Sequence, residues 1–288
     1  MLAQVVLIPA ESKKLISKAI AKLDVVRQAA TKGMVVLHPS SSTYFIVEEI
    51  TGEKPKTNYW VCGVVTPKGM CVEMAMVLGG YTPQNTAPDP GDFRACWVIE
   101  NGKLAAGEKL SELLNRMNPT DVYIKGVNAL DLQGNVGVLL GDQGSMGYIL
   151  SVWRKKKFSL ICPVGLEKLI PTPIRQAAVE AKLAKYDYAM GLPTGLFPCS
   201  GGKTINELNA IEILSDAKAI PIAAGGLGGA EGAITLVIKG SDGQVKKAIE
   251  FVEQSKGARL PQLRLCNCHD CSVPHCRFPV GAKHWAQP

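Results

Sequence analysis

Along the first part of the chain the apolar positions change period from helical to extended. Leu15, Ile16, Ala19, Ile20, Leu23, Val26 and Ala30 recur at helical spacing, with Ser12 placed as an N-cap and Gly33 just past the end, which predicts one amphipathic helix. It leads into the apolar run Met34–His38, the small polar loop Pro39–Thr43, and a helical stretch from Tyr44 to Ile50. Helix, strand, polar loop and helix in that order is α/β grammar. Tyr59–Val65 and Met70–Met76 flank Thr66-Pro67-Lys68-Gly69 and predict a hairpin, and Ala95–Glu100 predicts a strand turning at Asn101-Gly102. Residues 79–92, between them, predict a Pro-rich surface loop. Asp121–Lys125, Val136–Leu140 and Phe158–Pro163 predict strands of a parallel sheet, with helices after Gly147 and over Ile174–Lys185.

Past Leu192 the pattern shortens. A helix is expected over Thr204–Ser215, where Thr204 and Glu207 stand at capping-box spacing. Strands Ala219–Ala223 and Ile234–Ile238 surround the glycine turn Gly225–Gly229, and a helix runs over Asp242–Gln254. The expected architecture is an α/β sheet domain over 1–192, a small α+β unit of ferredoxin-like grammar over 193–260, and a Cys/His-rich tail over 261–288.

Composition narrows the class. The 288 residues are 47% hydrophobic, 20% charged and 6% aromatic, which excludes a polar disordered chain. The net charge of +7 is spread out apart from Arg154–Lys157, at a helix end where cations meet the dipole favourably. Without a basic stripe interleaved with aromatics, an anionic small molecule fits better than nucleic acid. No apolar run is long enough to span a bilayer, and the amino terminus has no basic-then-apolar signal pattern, so a cytoplasmic protein is expected. Five of the nine cysteines, Cys62, Cys71, Cys96, Cys162 and Cys199, stand singly and read as reduced thiols.

One ordered set of motifs resembles a known superfamily. Asp121-Val122-Tyr123-Ile124-Lys125-Gly126-Val127-Asn128-Ala129-Leu130-Asp131 is followed by Gly134-Asn135 and Gly141-Asp142-Gln143-Gly144-Ser145-Met146-Gly147; upstream lie the strand, Ser/Thr-rich loop and helix at Val36–Glu49. Over roughly residues 15–192 this order resembles the superfamily of ribose-5-phosphate isomerases, glucosamine-6-phosphate deaminases, sugar-responsive repressor effector domains and CoA transferases. The resemblance implies a Rossmann-like three-layer sheet and two anion-binding loops. Where the isomerases carry two Asp, this chain has Lys125 and Asn128, and Asp131 alone remains of the acidic set. An enediol isomerisation needs a carboxylate base at the substrate carbon, so isomerase activity is not expected. The transferases use a Glu nucleophile in a Glu-Asn-Gly turn, and Glu100-Asn101-Gly102 repeats that pattern. An Asn-Gly hairpin turn needs no chemistry, which is the plainer reading.

The candidate residues therefore divide into three sets. Glu100 and Asp131 are the catalytic candidates. Ser40, Ser41, Ser42, Thr43, Lys125, Asn128, Gly144, Ser145 and Met146 are ligand-binding candidates, because strand-end loops opening helices offer backbone N–H groups and hydroxyls to an anion. Ser and Thr there also serve as ordinary N-caps. His38 is a further contact, and Cys199 a candidate reactive thiol. Gly201-Gly202-Lys203-Thr204 lacks the earlier glycine of a nucleotide P-loop, since Phe197 occupies its place.

The tail is the third set. Cys266, Cys268, Cys271 and Cys276, with His269 and His275, place four thiols and two imidazoles close together, as structural zinc prefers, with an iron–sulfur cluster as runner-up. Function is expected to be binding of a phosphorylated or carboxylated metabolite; an acyl-CoA transferase-like enzyme and a ligand-sensing regulator are the alternatives. Whether the chain is catalytic, and whether it forms a homo-oligomer, stay open.

Overall fold

A computed structural model describes residues 1–55, 60–72, 90–140, 145–181, 186–265, 267, 268, 271 and 276. Strand β1 (Leu2–Leu7) leads into α1 (Pro9–Lys22) and α2 (Asp24–Lys32), then β2 (Met34–His38) and α3 (Ser41–Thr51). The single helix expected over 15–30 is two. Leu23 is extended (φ −63°, ψ 131°) and serves as C-cap of the first and N-cap of the second. The apolar period runs through the break, while Lys22 at one helix end and Asp24 at the next start complement the two dipoles. The first helix begins at Pro9, a residue preorganised for that position, so Ser12 lies inside it rather than capping it.

Next come the hairpin β3 (Gly63–Thr66) and β4 (Gly69–Val72), then β5 (Trp97–Glu100), β6 (Lys103–Ala106) and α4 (Leu110–Arg116). They are followed by β7 (Val122–Lys125), β8 (Ala129–Leu130), β9 (Val136–Leu140), α5 (Ser145–Lys156), β10 (Ser159–Pro163) and α6 (Ile174–Glu180). The chain ends with β11 (Gly195–Pro198), β12 (Lys203–Ile205), α7 (Glu207–Ser215), β13 (Lys218–Ala224), β14 (Ile234–Lys239) and α8 (Asp242–Ser255).

The fold is mixed α/β. A six-stranded sheet runs β12-β10-β7-β2-β5-β6, in which β12, β10, β7 and β2 are mutually parallel, β5 runs antiparallel to β2, and β6 runs antiparallel to β5. β9 does not join it. It pairs antiparallel with β8 and β11 in a separate three-stranded sheet, to which Asn128, the residue before β8, is tied through Gly137 O and Leu139 N. Residues 193–260 are woven into the rest. β12 lies at one edge of the main sheet, and β13 and β14 form a third sheet with the amino-terminal β1. The capping residue of α7 is Asn206, which accepts from Leu208 N and Asn209 N, so Thr204 falls in β12.

Both faces of the main sheet are buried, which explains the nearly continuous apolar strands. Val35, Leu37, Trp97, Ile99, Val122, Ile124, Ile161 and Ile205 face a core shared with α1, α2, α3, α7, α8 and the β1-β14-β13 sheet. Val36, Val98, Tyr123, Leu160 and Cys162 face the opposite core, closed by α4, α5, β8 and β9. Among the described residues no helix is long and apolar enough to cross a membrane.

Candidate functional site

Chemistry-bearing side chains gather at the carboxyl edge of the parallel strands. His38 ends β2 and pairs in register with Lys125, which ends β7. Continuing the neighbouring ladders by one residue sets Cys96 beside His38 and Cys162 beside Lys125. Successive side chains alternate faces. Each of the four stands two positions from a residue of the second core, Val98, Val36, Tyr123 or Leu160, so Cys96, His38, Lys125 and Cys162 form a row on that face. Direct contacts tie the row together. His38 Nδ1 lies 3.1 Å from the Tyr123 hydroxyl, and Cys96 Sγ lies 3.7 Å from that hydroxyl. The His38 ring stacks on Phe93 at 4.7 Å between centroids. Cys162 Sγ lies 3.5 Å from Cys199 Sγ.

Burial governs the charges here. Burial, with the Lys125 charge beside it, holds His38 well below its ordinary value of 6.5, so its imidazole is neutral at pH 7. Burial pushes the Cys96 and Cys62 thiols up to about 12. Burial also lowers Lys125 below its ordinary 10.5, partly opposed by the surrounding thiols of Cys62, Cys96, Cys199 and Cys162. Lys125 is 7% exposed, and among the described residues its ammonium makes no ion pair and no hydrogen bond.

The loop after β2 touches this row. A Cβ on Gly126 would stand 2.5 Å from Ser40 Oγ, so the glycine is what lets the exits of β2 and β7 meet. Ser40 caps α3, its Oγ accepting from Thr43 N at 3.2 Å, and Thr43 Oγ1 donates to His38 O at 2.7 Å. Ser42 Oγ is buried and has no hydrogen-bond partner among the described residues. Ser41 is partly exposed at the first turn of the same helix. Asn128 is engaged in the backbone, its N–H donating to Gly137 O and its Oδ1 accepting from Leu139 N. Ser145 begins α5, Met146 is buried in the second core, and Gly144 lies outside the described residues.

The two catalytic candidates lie apart from the row. Glu100 pairs with Met34, at the other end of β2 from His38. Four residues of strand put it about 13 Å from the carboxyl edge. Its carboxylate meets Arg116 of α4 at 3.1 Å, and the chain then enters the Asn101-Gly102 turn, where both residues have positive φ. Asp131 is an anchor: it accepts from Gln133 N, Asn135 N, Asn135 Nδ2 and Ile174 N. Burial works to raise its pKa, but these hydrogen bonds, Ile174 N foremost, leave it below its ordinary 3.8.

A second cluster, unanticipated from sequence, lies at the loop after β10. Glu207 is fully buried at the start of α7 and accepts from Leu166 N at 2.9 Å. Burial, then the nearby Glu167 charge, raise it to about 7. Lys13 Nζ bonds Glu167 Oε1 at 2.5 Å. Lys168, lowered to about 8 by burial and then by Lys13, donates to Val127 O at 2.7 Å, linking this cluster to the exit of β7.

Of the tail ligands, Cys268, Cys271 and Cys276 are described; Cys266, His269 and His275 lie outside the described residues. Lys68 Nζ contacts Cys268 Sγ at 3.6 Å, bringing the tail onto the β3–β4 turn. The Cys71 thiol of β4 is raised by burial, against a backbone hydrogen bond with Val72, and raised further by Cys276, Cys271 and Cys268. Among the described residues no group of three or more His, Cys, Asp or Glu side chains has metal-holding geometry. Comparison of the chain with protein-family models, with curated proteins and with solved structures finds no match.

Proposed function

We propose that the chain binds a small phosphorylated or carboxylated metabolite at the carboxyl ends of β2 and β7, with Lys125 as its cation. The buried, unpaired Lys125 ammonium carries this reading. A cation held largely out of water without a counter-charge is costly, and an anion from solution would reduce that cost. The sheet topology supports the location. From β2 the chain passes to β5 on one side, and from β7 to β10 on the other, so these neighbouring strands have diverging connections. Ligands of open α/β sheets favour such a crevice. The N-terminus of α3, which follows the end of β2, and its Ser42 hydroxyl, without a partner among the described residues, offer further donors. This reading keeps the superfamily likeness as a source for the ligand class, a phosphosugar or an acyl carboxylate, and its Rossmann-like sheet as the frame. A thermal-shift panel of inorganic phosphate, sugar phosphates, dicarboxylates and CoA thioesters tests it. At least one anion should raise the melting temperature of the wild type and not of Lys125→Ala; equal shifts in both proteins, or none from any anion, refute it.

A second reading concerns the tail, whose Cys268 Sγ lies 3.6 Å from Lys68 Nζ in the β3–β4 turn. We propose that the tail binds a structural zinc ion through Cys268, Cys271 and Cys276, with Cys266, His269 or His275 completing the set. Elemental analysis of untagged protein should give one zinc per chain, lost in Cys271→Ser. Absence of both zinc and iron refutes this reading, and iron in place of zinc favours the cluster.

A further inference from the structure

Cys162, beside Lys125 in the strand-end row, and Cys199 are not needed to bind the anion, yet their sulfurs are in direct contact at 3.5 Å. We infer that they form a two-electron redox couple, a dithiol that a small hydroperoxide converts to a disulfide between β10 and the residue following β11. The local sequence builds the pair. Cys199 N donates to Val136 O, which fixes the end of β11 against β9. Cys199-Ser200-Gly201-Gly202 then turns the chain over Cys162 into β12, with Gly201 at φ +92°. A Cβ on Gly202 would stand 2.8 Å from Cys162 Sγ, so the paired glycines that mimic a nucleotide loop serve here to seat a sulfur.

The two thiols are unequal, which gives the couple a direction. Cys162 is fully buried, whereas Cys199 retains 4% exposure. The hydrogen bond between the two sulfurs, helped by Lys125, holds Cys199 below the ordinary thiol value, and the same bond with burial holds Cys162 well above it against the pull of Lys125. Cys199 thiolate is therefore the nucleophile. It attacks one oxygen of the peroxide; the S–O bond forms, the O–O bond breaks, and hydroxide leaves to take a proton from solvent. Cys162 sulfur then attacks the sulfenic sulfur of Cys199; the S–S bond forms, the S–O bond breaks, and the departing hydroxide takes the Cys162 proton as water. In sum two thiols and one hydrogen peroxide give one disulfide and two waters, the peroxide being reduced. Closing the bond needs the sulfurs to approach by about 1.5 Å, from contact to the usual disulfide length of about 2.05 Å.

The test uses the reduced full-length chain and hydrogen peroxide. After a short exposure, free thiols are alkylated and the digest is mapped by mass spectrometry. The Cys162 and Cys199 peptides should appear linked, with the loss of two hydrogens, and dithiothreitol should separate them. In Cys162→Ser, dimedone should trap sulfenic acid at Cys199 at least tenfold more than in the wild type. Should that variant fail to fold, alkylation rates in the wild type give the same ordering, with Cys199 modified before Cys162. Recovery of both as free thiols while other cysteines oxidise overturns the couple. So does linkage of Cys199 to a different cysteine, or alkylation of Cys162 first.

Discussion

Replacing Glu207 by Gln should turn a pH-dependent stability into a flat one. Glu207 is buried beneath the loop after β10 and titrates near 7 in the fold, against an ordinary 4.5. Its folded value is raised, so folding prefers the neutral acid. The stability this contributes relative to the ionised form is fully present below about 4.5 and is lost as pH rises through about 7. The gap, at about 1.4 kcal/mol per pH unit, amounts to about 3 kcal/mol between those limits. Gln keeps the carbonyl oxygen that accepts from Leu166 N and cannot ionise. The added amide group shifts the variant by a constant, so the slope is the readout. Urea unfolding of both proteins, measured from about pH 4.5 to about pH 8, gives the difference in free energy at each pH. That difference should move in favour of Glu207→Gln by about 3 kcal/mol over the range, most of it between pH 5 and 7. Parallel curves would refute the buried-acid assignment, as would a slope favouring the wild type at higher pH.

Three further outcomes follow from the same reasoning. Lys125→Met, which removes an unpaired buried cation while keeping the stem's bulk, should stabilise the ligand-free protein by about 1–3 kcal/mol at pH 7 in urea unfolding. Because the folded pKa of Lys125 is lowered, the gain should shrink as pH rises through that value toward 10.5. Gly126→Ala, forced against Ser40, should weaken anion binding at least fivefold in titration calorimetry, because it parts the exits of β2 and β7. Asp131→Ala leaves the N–H groups of Gln133, Asn135 and Ile174 without their acceptor and should cost about 3 kcal/mol or more in urea unfolding. The pKa of Asp131 is lowered in the fold, so this contribution is present above about 4 and fades as pH falls through the folded value.

Local periodicity made most elements legible, and pairing made the site illegible. The strands at 34–38, 122–125 and 159–163, the Asn101-Gly102 turn and the last helix all follow from apolar phase and turn chemistry. The break at Leu23 leaves the apolar phase intact, so a pattern reading passes through it. β9 has the same apolar look as β7 and β10, and its ladders with β8 and β11, together with the hydrogen bonds of Asn128, put it in another sheet. Lys125 and the Ser40 loop were visible as strand-end residues. The row from Cys96 to Cys162 was not, because strand phase fixes which face a side chain takes but not the register between strands far apart in sequence. Glu100 shows the converse: its turn motif is local and plain, and β5 runs antiparallel to β2, carrying it to the far end of the sheet.

The central claim, that Lys125 is the cation of an anion site, is tested most directly by titration calorimetry with the anion giving the largest thermal shift. A charge-assisted hydrogen bond is worth about 1.5–3 kcal/mol, so Lys125→Ala should bind that anion roughly tenfold or more weakly. Wild-type affinity should also fall as pH rises through the lowered pKa of Lys125, with proton uptake on binding above it. Equal affinity of Lys125→Ala and wild type for the same anion, with no proton uptake at any pH, would contradict the account.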